Sequence, residues 1–262
     1  ASYYGETIES VYATAKLLKL QKIDVLCIKV KGGYLAKPRW RDKRIKRAYI
    51  ELEIFSSFSS SEFKDLTVDE IYNKMIKSYY QNDYEWNRLN QIKYLGKNRL
   101  KGSHRVIYGC PVCNSINYIE SYGDYIHCTN CDTIGEINDF GFIQNTKFDN
   151  FVDWGKFQEI LLKDNLDLEF NFDIKLFKYD LVIYKRYYIG EAKLKYKNKK
   201  FFVFNDKINL EFDIIDIKGE VYSEALDFSF DYIGETFMFR SESPKLLLDL
   251  TKLNKEEHKC LM

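Results

Sequence analysis

Cys110-Pro111-Val112-Cys113 and Cys128-Thr129-Asn130-Cys131 frame the stretch on which the reading of this chain turns. Together they spell C-x2-C-x14-C-x2-C. Two residues between cysteines let one tight turn aim both sulfurs at one point, and two such knuckles on neighbouring hairpins complete a tetrahedral thiolate cage. The spacing sits at the short edge of the zinc pattern. It predicts that Cys110, Cys113, Cys128 and Cys131 hold one structural Zn2+ ion. Iron is the other ion that such a cage accepts. A disulfide scaffold competes with both, but six cysteines in 262 residues with no signal-peptide pattern weigh against it.

Outward from the cysteines, the length leaves room for more than one domain, and 45% apolar residues suffice for real cores. The 40 Lys+Arg against 39 Asp+Glu give a net charge of +1, so any attraction to phosphate must be local. No run of about eighteen apolar residues suggests a transmembrane helix. The expectation is a multidomain α+β chain: an α/β region over residues 1–100, a zinc ribbon over 101–146, and a β-rich domain over 147–262.

In the first region, residues 9–20 carry Val11, Ala15 and Leu18 at helical spacing, widened by Leu17 and Leu20. Residues 22–30 are nearly continuously apolar, which suits a strand buried on both faces with Cys27 as a core residue. Helix then buried strand is half of an α/β unit. Arg39, Trp40, Arg41, Arg44 and Arg47 follow in a cationic cluster with Trp40 inside it. Such a cluster either faces an anionic membrane, where each cation contributes about 1 kcal/mol, or is a solvated loop. Residues 49–55 alternate as a strand, and residues 58–63 read as a serine-rich connection. Thr67 and Glu70 then form a capping box before a helix with Ile71, Met75 and Tyr79 on one face.

Beyond Phe148 the pattern changes. Residues 153–162 read as a short helix, after which Leu166, Leu168, Phe170, Phe172 and Ile174 alternate. Strand-like runs recur at 180–185, 187–196, 200–204, 210–217, 221–230 and 236–240. Ser243 and Pro244 then open a helix with Leu246, Leu247, Leu250 and Leu253 in a stripe. About seven strands closed by one helix is the element order of a pleckstrin-homology or GRAM-like β-barrel, with the helix plugging an open end. Lys193, Lys195, Lys197, Lys199 and Lys200 mark a basic hairpin, either a solvated tip, the preferred reading, or a site for lipid phosphates.

The run from Thr14 to Leu20 followed by Ile23 to Trp40, with its Tyr34-Leu35 and Pro38-Arg39-Trp40, resembles the later half of the bacterial lysophosphatidic acid acyltransferases of clostridial type. Some members of that family also carry a four-cysteine ribbon. The resemblance covers residues 1–100 and the ribbon. It implies acyl transfer from acyl-CoA or acyl carrier protein to a lysophospholipid, on the cytoplasmic face of the cell membrane. It also implies a base–carboxylate HxxxxD pair and a phosphate-binding loop, whose serine corresponds to Ser2. His127 and Asp132 match HxxxxD formally, but Cys128 and Cys131 occupy two of the four spacer positions, so the match reads as accidental. His104 has Gly109 where the aspartate belongs, and His258 lies near the end. The expectation is therefore a partial enzyme without catalytic residues, its motif lying upstream of Ala1.

Two other functions compete. One is a non-catalytic ribbon-plus-barrel adaptor on membranes. The other is a nucleic-acid-binding zinc ribbon, against which stand the neutral charge and Asp124, Asp132, Glu136 and Asp139 around the cage.

Overall fold

The computed structural model describes residues 3–8, 11–21, 23–41, 45, 48–223 and 226–261, with backbone alone at 55, 260 and 261. The chain forms two compact units, one of residues 1–97 with 137–143 and the other of 98–136 with 144–262. The ribbon cysteines therefore share a unit with the β-rich tail, where the sequence suggested separate domains.

In the first unit the elements are α1 (Tyr12–Gln21), β1 (Val25–Lys31), α2 (Gly33–Ala36), β2 (Glu51–Phe58), α3 (Ser60–Lys64), α4 (Val68–Tyr79) and α5 (Asp83–Asn90). The α4 helix begins as its residues dictate: Thr67 Oγ1 accepts from Glu70 N–H at 3.2 Å, and Glu70 Oε2 accepts from Thr67 N–H at 2.7 Å. Ile71 and Met75 then join Ala15, Cys27, Phe58 and Phe63 in one core. The serine-rich connection is in fact the end of β2 and a short helix, because Ser59 and Glu62 form a second capping box.

The doubly buried strand is not found. Among the described residues β1 pairs antiparallel with β2 alone; Leu26, Ile28 and Val30 are exposed, as are Ile54 opposite Ile28 and Leu52 opposite Val30. A two-stranded sheet has helices on one side only, so its other face stays wet. The α1 stripe narrows for the same reason. Ala15 is buried, whereas Val11, Leu17 and Leu20 are exposed.

The segment after α2 also departs from expectation. Trp40 is only 2% exposed and meets Tyr34 edge-on at 5.9 Å, so its indole is a core group and not a lipid-facing one. Arg39 lies over the Tyr3 ring at 5.1 Å and is half-buried, like Arg41. Arg44, Arg47 and Ser2 lie outside the described residues. Buried Asp83 fixes the loop before α2 by accepting from Gly32 N–H (2.9 Å) and Tyr34 N–H (2.8 Å).

Four short strands follow, β3 (Ile119–Tyr122), β4 (Tyr125–Cys128), β5 (Ile134–Ile137) and β6 (Ile143–Gln144), the first three pairing antiparallel in sequence order. Then come α6 (Phe151–Lys163), β7 (Phe170–Asp180), β8 (Lys185–Lys197), β9 (Lys200–Phe204), β10 (Asn209–Asp213), β11 (Lys218–Ser223), β12 (Asp227–Tyr232), β13 (Glu235–Arg240) and α7 (Pro244–Leu261). The seven strands from β7 onward make one antiparallel sheet in the order β10-β9-β8-β7-β13-β12-β11. It curls into a half-barrel whose end strands do not pair. Residues 181–184 are a turn and not the expected strand, and the runs 210–217 and 221–230 each break, into a strand with a 3-10 turn and into a hairpin.

Aromatic residues fill the inside of the curl. Phe230 meets Phe239 edge-on at 4.9 Å and Phe212 meets Phe237 at 5.0 Å. The α7 helix covers β11, β12 and the turn 214–216, burying Leu246, Leu247, Leu248 and Leu250. The basic hairpin is neutralised. Lys193 pairs with Asp173, Lys195 and Lys197 with Glu169 (2.5 and 2.7 Å), Lys199 with Glu257 (2.8 Å) and Lys200 with Glu211 (2.5 Å).

Candidate metal centre

The two cysteine knuckles have the same backbone. In each, the first cysteine's N–H bonds the carbonyl five residues on, Cys110 to Ser115 O (2.9 Å) and Cys128 to Thr133 O (3.0 Å). In each, the fifth residue's N–H returns to the first cysteine's carbonyl, from Asn114 at 3.0 Å and Asp132 at 2.9 Å. Those fifth residues are left-handed, Asn114 at φ 60° and Asp132 at φ 56°, a conformation that Asn and Asp tolerate best among residues with a side chain.

This repetition brings the four sulfurs within 4.8 Å of one another. Cys110 Sγ lies 3.7 Å from Cys131 Sγ, and Cys113 Sγ 3.7 Å from Cys128 Sγ. Four thiolates about 2.3 Å from one metal would stand about 3.8 Å apart at tetrahedral angles. The donor set thus fits a metal ion, and the sulfurs are too far apart for disulfides, in line with all four being free.

The sulfurs are not equivalent. Cys110 and Cys128 are buried, Cys113 and Cys131 half-buried. Burial pushes the Cys110 thiol up to about 12. Burial also opposes ionisation of Cys113, but hydrogen bonds from Ser115 and Asn130 overcome it and bring that thiol down to about 6. Ser115 Oγ is 3.1 Å from Cys113 Sγ, and Thr133 Oγ1 stands in the same place, 3.2 Å from Cys131 Sγ. Sequence reading found the cysteines but missed these hydroxyls. The signal was present, because C-x2-C-[ND]-[ST] occurs twice.

The half-site is held from behind by α6. Trp154 Nε1 donates to Gly109 O (2.7 Å), Gln158 Oε1 accepts from Tyr108 N–H (2.8 Å), and Gln158 Nε2 donates to Val106 O (2.9 Å). A Cβ at Gly109 would stand 2.9 Å from Gln158 Cβ, so a glycine is needed for this approach.

His127 and Asp132 do meet, Nε2 to Oδ1 at 3.4 Å, at the rim of the cage with the aspartate almost fully exposed. Both positions are set by the second knuckle. His104 is the more tightly held histidine: its Nδ1 is 2.7 Å from Ser121 Oγ and its Nε2 is 3.0 Å from Glu242 Oε2. Ser121 Oγ also accepts from Gly102 N–H at 2.9 Å, which ties the 103–105 turn to β3. Hydrogen bonding from His104, reinforced by Arg105, holds the Glu242 carboxyl down at about 2 despite partial burial.

An open cleft of about 930 Å³ lies beside Asp173, Lys193, Phe204 and Arg240. Its cations are committed, Lys193 to Asp173, Lys175 to Glu191 and Arg240 to Asp227. No helix among the described residues is long and apolar enough to cross a membrane. The chain matches no family model and no curated protein.

Proposed function

We propose that this chain is a non-catalytic adaptor, stapled by a closed structural zinc site, that works at an anionic membrane surface. The observation carrying the structural, non-catalytic role of the metal site is the pair of congruent knuckles. Four thiolates take all four corners of a tetrahedron, which leaves no coordination position for water or substrate. Zinc suits an all-thiolate, hydroxyl-capped cage, and binding it would contribute directly to folding. The half-barrel with its C-terminal helix supports a pleckstrin-homology or GRAM-like reading by analogy of element order.

The test has two arms. Elemental analysis of the purified chain should find one zinc, and incubation with labelled acyl thioester and lysophosphatidic acid should give no product. A folded chain with neither zinc nor iron, or turnover that disappears on His127→Ala, would overturn this reading.

One observation favours a second reading. Ile28 lies opposite Ile54 and Val30 opposite Leu52 on an exposed face of β1 and β2, an aliphatic surface of the kind larger α/β domains cover. It supports the first unit being part of a glycerolipid acyltransferase domain, using acyl-CoA or acyl carrier protein and a lysophospholipid. Fusing an HxxxxD-bearing half from that family upstream should then yield acyl transfer that His→Ala in the added motif abolishes. A folded but inactive fusion would count against it.

A further inference from the structure

Two hairpin turns emerge side by side from one end of the seven-stranded sheet. Tyr179 on β7 faces Thr236 on β13, and Asp180 on β7 faces Lys185 on β8, so the turns 181–184 and 233–234 share that end. The first turn reads Leu181-Val182-Ile183-Tyr184, and the second carries Ile233. Val182 is 87% exposed, Tyr184 91% and Ile233 78%.

Local structure does not ask for apolar residues here. Asp180 Oδ1 closes the first turn by accepting from Val182 N–H (2.9 Å) and Ile183 N–H (3.2 Å), an arrangement that polar turn residues serve equally well. Ile233 sits at φ 50°, where a β-branched side chain is strained and Asn or Asp is ordinary. Large apolar side chains kept on exposed, strained turns point to something outside the chain that covers them.

The charges behind the tip show what that is. Lys185 stands over the Tyr187 ring at 5.1 Å and Arg186 over the Phe177 ring at 5.0 Å, and neither has a carboxylate partner among the described residues. The acids at this end are committed: Asp180 to the turn amides, Glu235 to Lys178 (2.5 Å) and Asp231 to Thr236 Oγ1 (2.6 Å). An apolar tip closed by Tyr184, with two unpaired cations directly behind it, is the arrangement of a bilayer interface read from the acyl chains outward.

We propose that these paired turns dip into the interface of an anionic phospholipid bilayer, the aliphatic tip entering the acyl-chain boundary while Lys185 and Arg186 meet lipid phosphates. The inference rests on the adaptor reading for its membrane and supplies the surface that engages it. A second copy of the chain would bury the same side chains, but it would bring the same cations with it. Anionic lipid complements the apolar tip and the cations together.

The experiment is co-sedimentation of the full chain with phosphatidylcholine vesicles, with and without phosphatidylserine. The parent should bind the anionic vesicles, more weakly as salt rises. Val182→Asp, at an exposed site that folding does not need, should weaken binding about tenfold or more. Lys185→Glu with Arg186→Glu should cost a similar factor on anionic vesicles and nothing on neutral ones. Tyr184→Trp should show blue-shifted emission when vesicles are added. If the parent binds and Val182→Asp binds equally well, the turns are not the contact, although the adaptor reading stands. A parent that binds no vesicles ends both. A parent that dimerises through the tip, with dimerisation lost in Val182→Asp and no lipid-induced shift in Tyr184→Trp, assigns the surface to a second copy and overturns the proposal.

Discussion

The hydroxyl of Tyr108 donates a 2.9 Å hydrogen bond to Asp249 Oδ2 from a site where both side chains are buried. Tyr108 stands two residues before the first cysteine of the cluster, and Asp249 is on the second turn of α7, so this bond fastens the cysteine module to the helix that covers the half-barrel. The same carboxylate receives Lys245 Nζ at 2.5 and 2.6 Å, and Glu159 on α6 lies 3.4 Å from that ammonium. The cysteine module and the tail are thus tied together by buried polar contacts despite their separation in sequence.

That buried network gives the first prediction. Asp249→Ala removes the main counter-charge of an ammonium that is 3% exposed, and should lower stability by about 3–5 kcal/mol in urea unfolding. Tyr108→Phe loses only the bond and should cost about 1.5–3 kcal/mol. Lys245→Met combined with Asp249→Leu should recover much of the first loss. A double variant no better than Asp249→Ala would show that the pair is needed as a pair.

Ser115→Ala and Thr133→Val each remove a hydroxyl next to a cysteine sulfur while leaving all four cysteines. If the proposed zinc site is right, each should loosen the metal by about tenfold or more without preventing its uptake. Competition against a chromogenic chelator measures this. An unchanged metal affinity would mean that the hydroxyls only shape the turn.

Glu242 predicts an acid-side dependence. Its carboxyl lies at about 2 in the folded chain against an ordinary 4.5, so it contributes stability above about pH 4.5 that is lost as pH falls toward 2. The side chain is 63% exposed, and solvent screening keeps the effect modest. Glu242→Gln should therefore be less stable than the parent at neutral pH and converge with it near pH 2. Parallel stability curves for the two proteins over this range would contradict the assignment.

The lysines of the β8–β9 hairpin predict a null effect. Because each already faces a carboxylate, Lys193→Gln with Lys197→Gln should leave binding to anionic vesicles within about twofold. A large loss would place a phosphate site there after all.

Several features were decided by the sequence alone because their causes are local. The α4 capping box needs only Thr67 and Glu70 three residues apart, Pro244 needs only its fixed φ to open α7, and each cysteine pair needs only one turn to aim two sulfurs. The β9 strand and the half-exposed aliphatic–charged alternation on its neighbours are likewise a matter of period. What remained hidden depends on partners distant in sequence. Whether residues 25–31 were buried on one face or two turned on how many strands joined the sheet, and among the described residues only β2 did. Trp40 in a cationic stretch reads as an interface residue until Tyr34 is seen beside it. The five lysines from 193 to 200 leave a solvated tip and a phosphate site both open until Glu169, Asp173, Glu211 and Glu257 arrive from other elements to pair with them. Conversely, Leu181 to Tyr184 read as part of a strand because hydrophobicity does not reveal where a chain turns, and only the pairing of β7 with β8 puts those side chains in water.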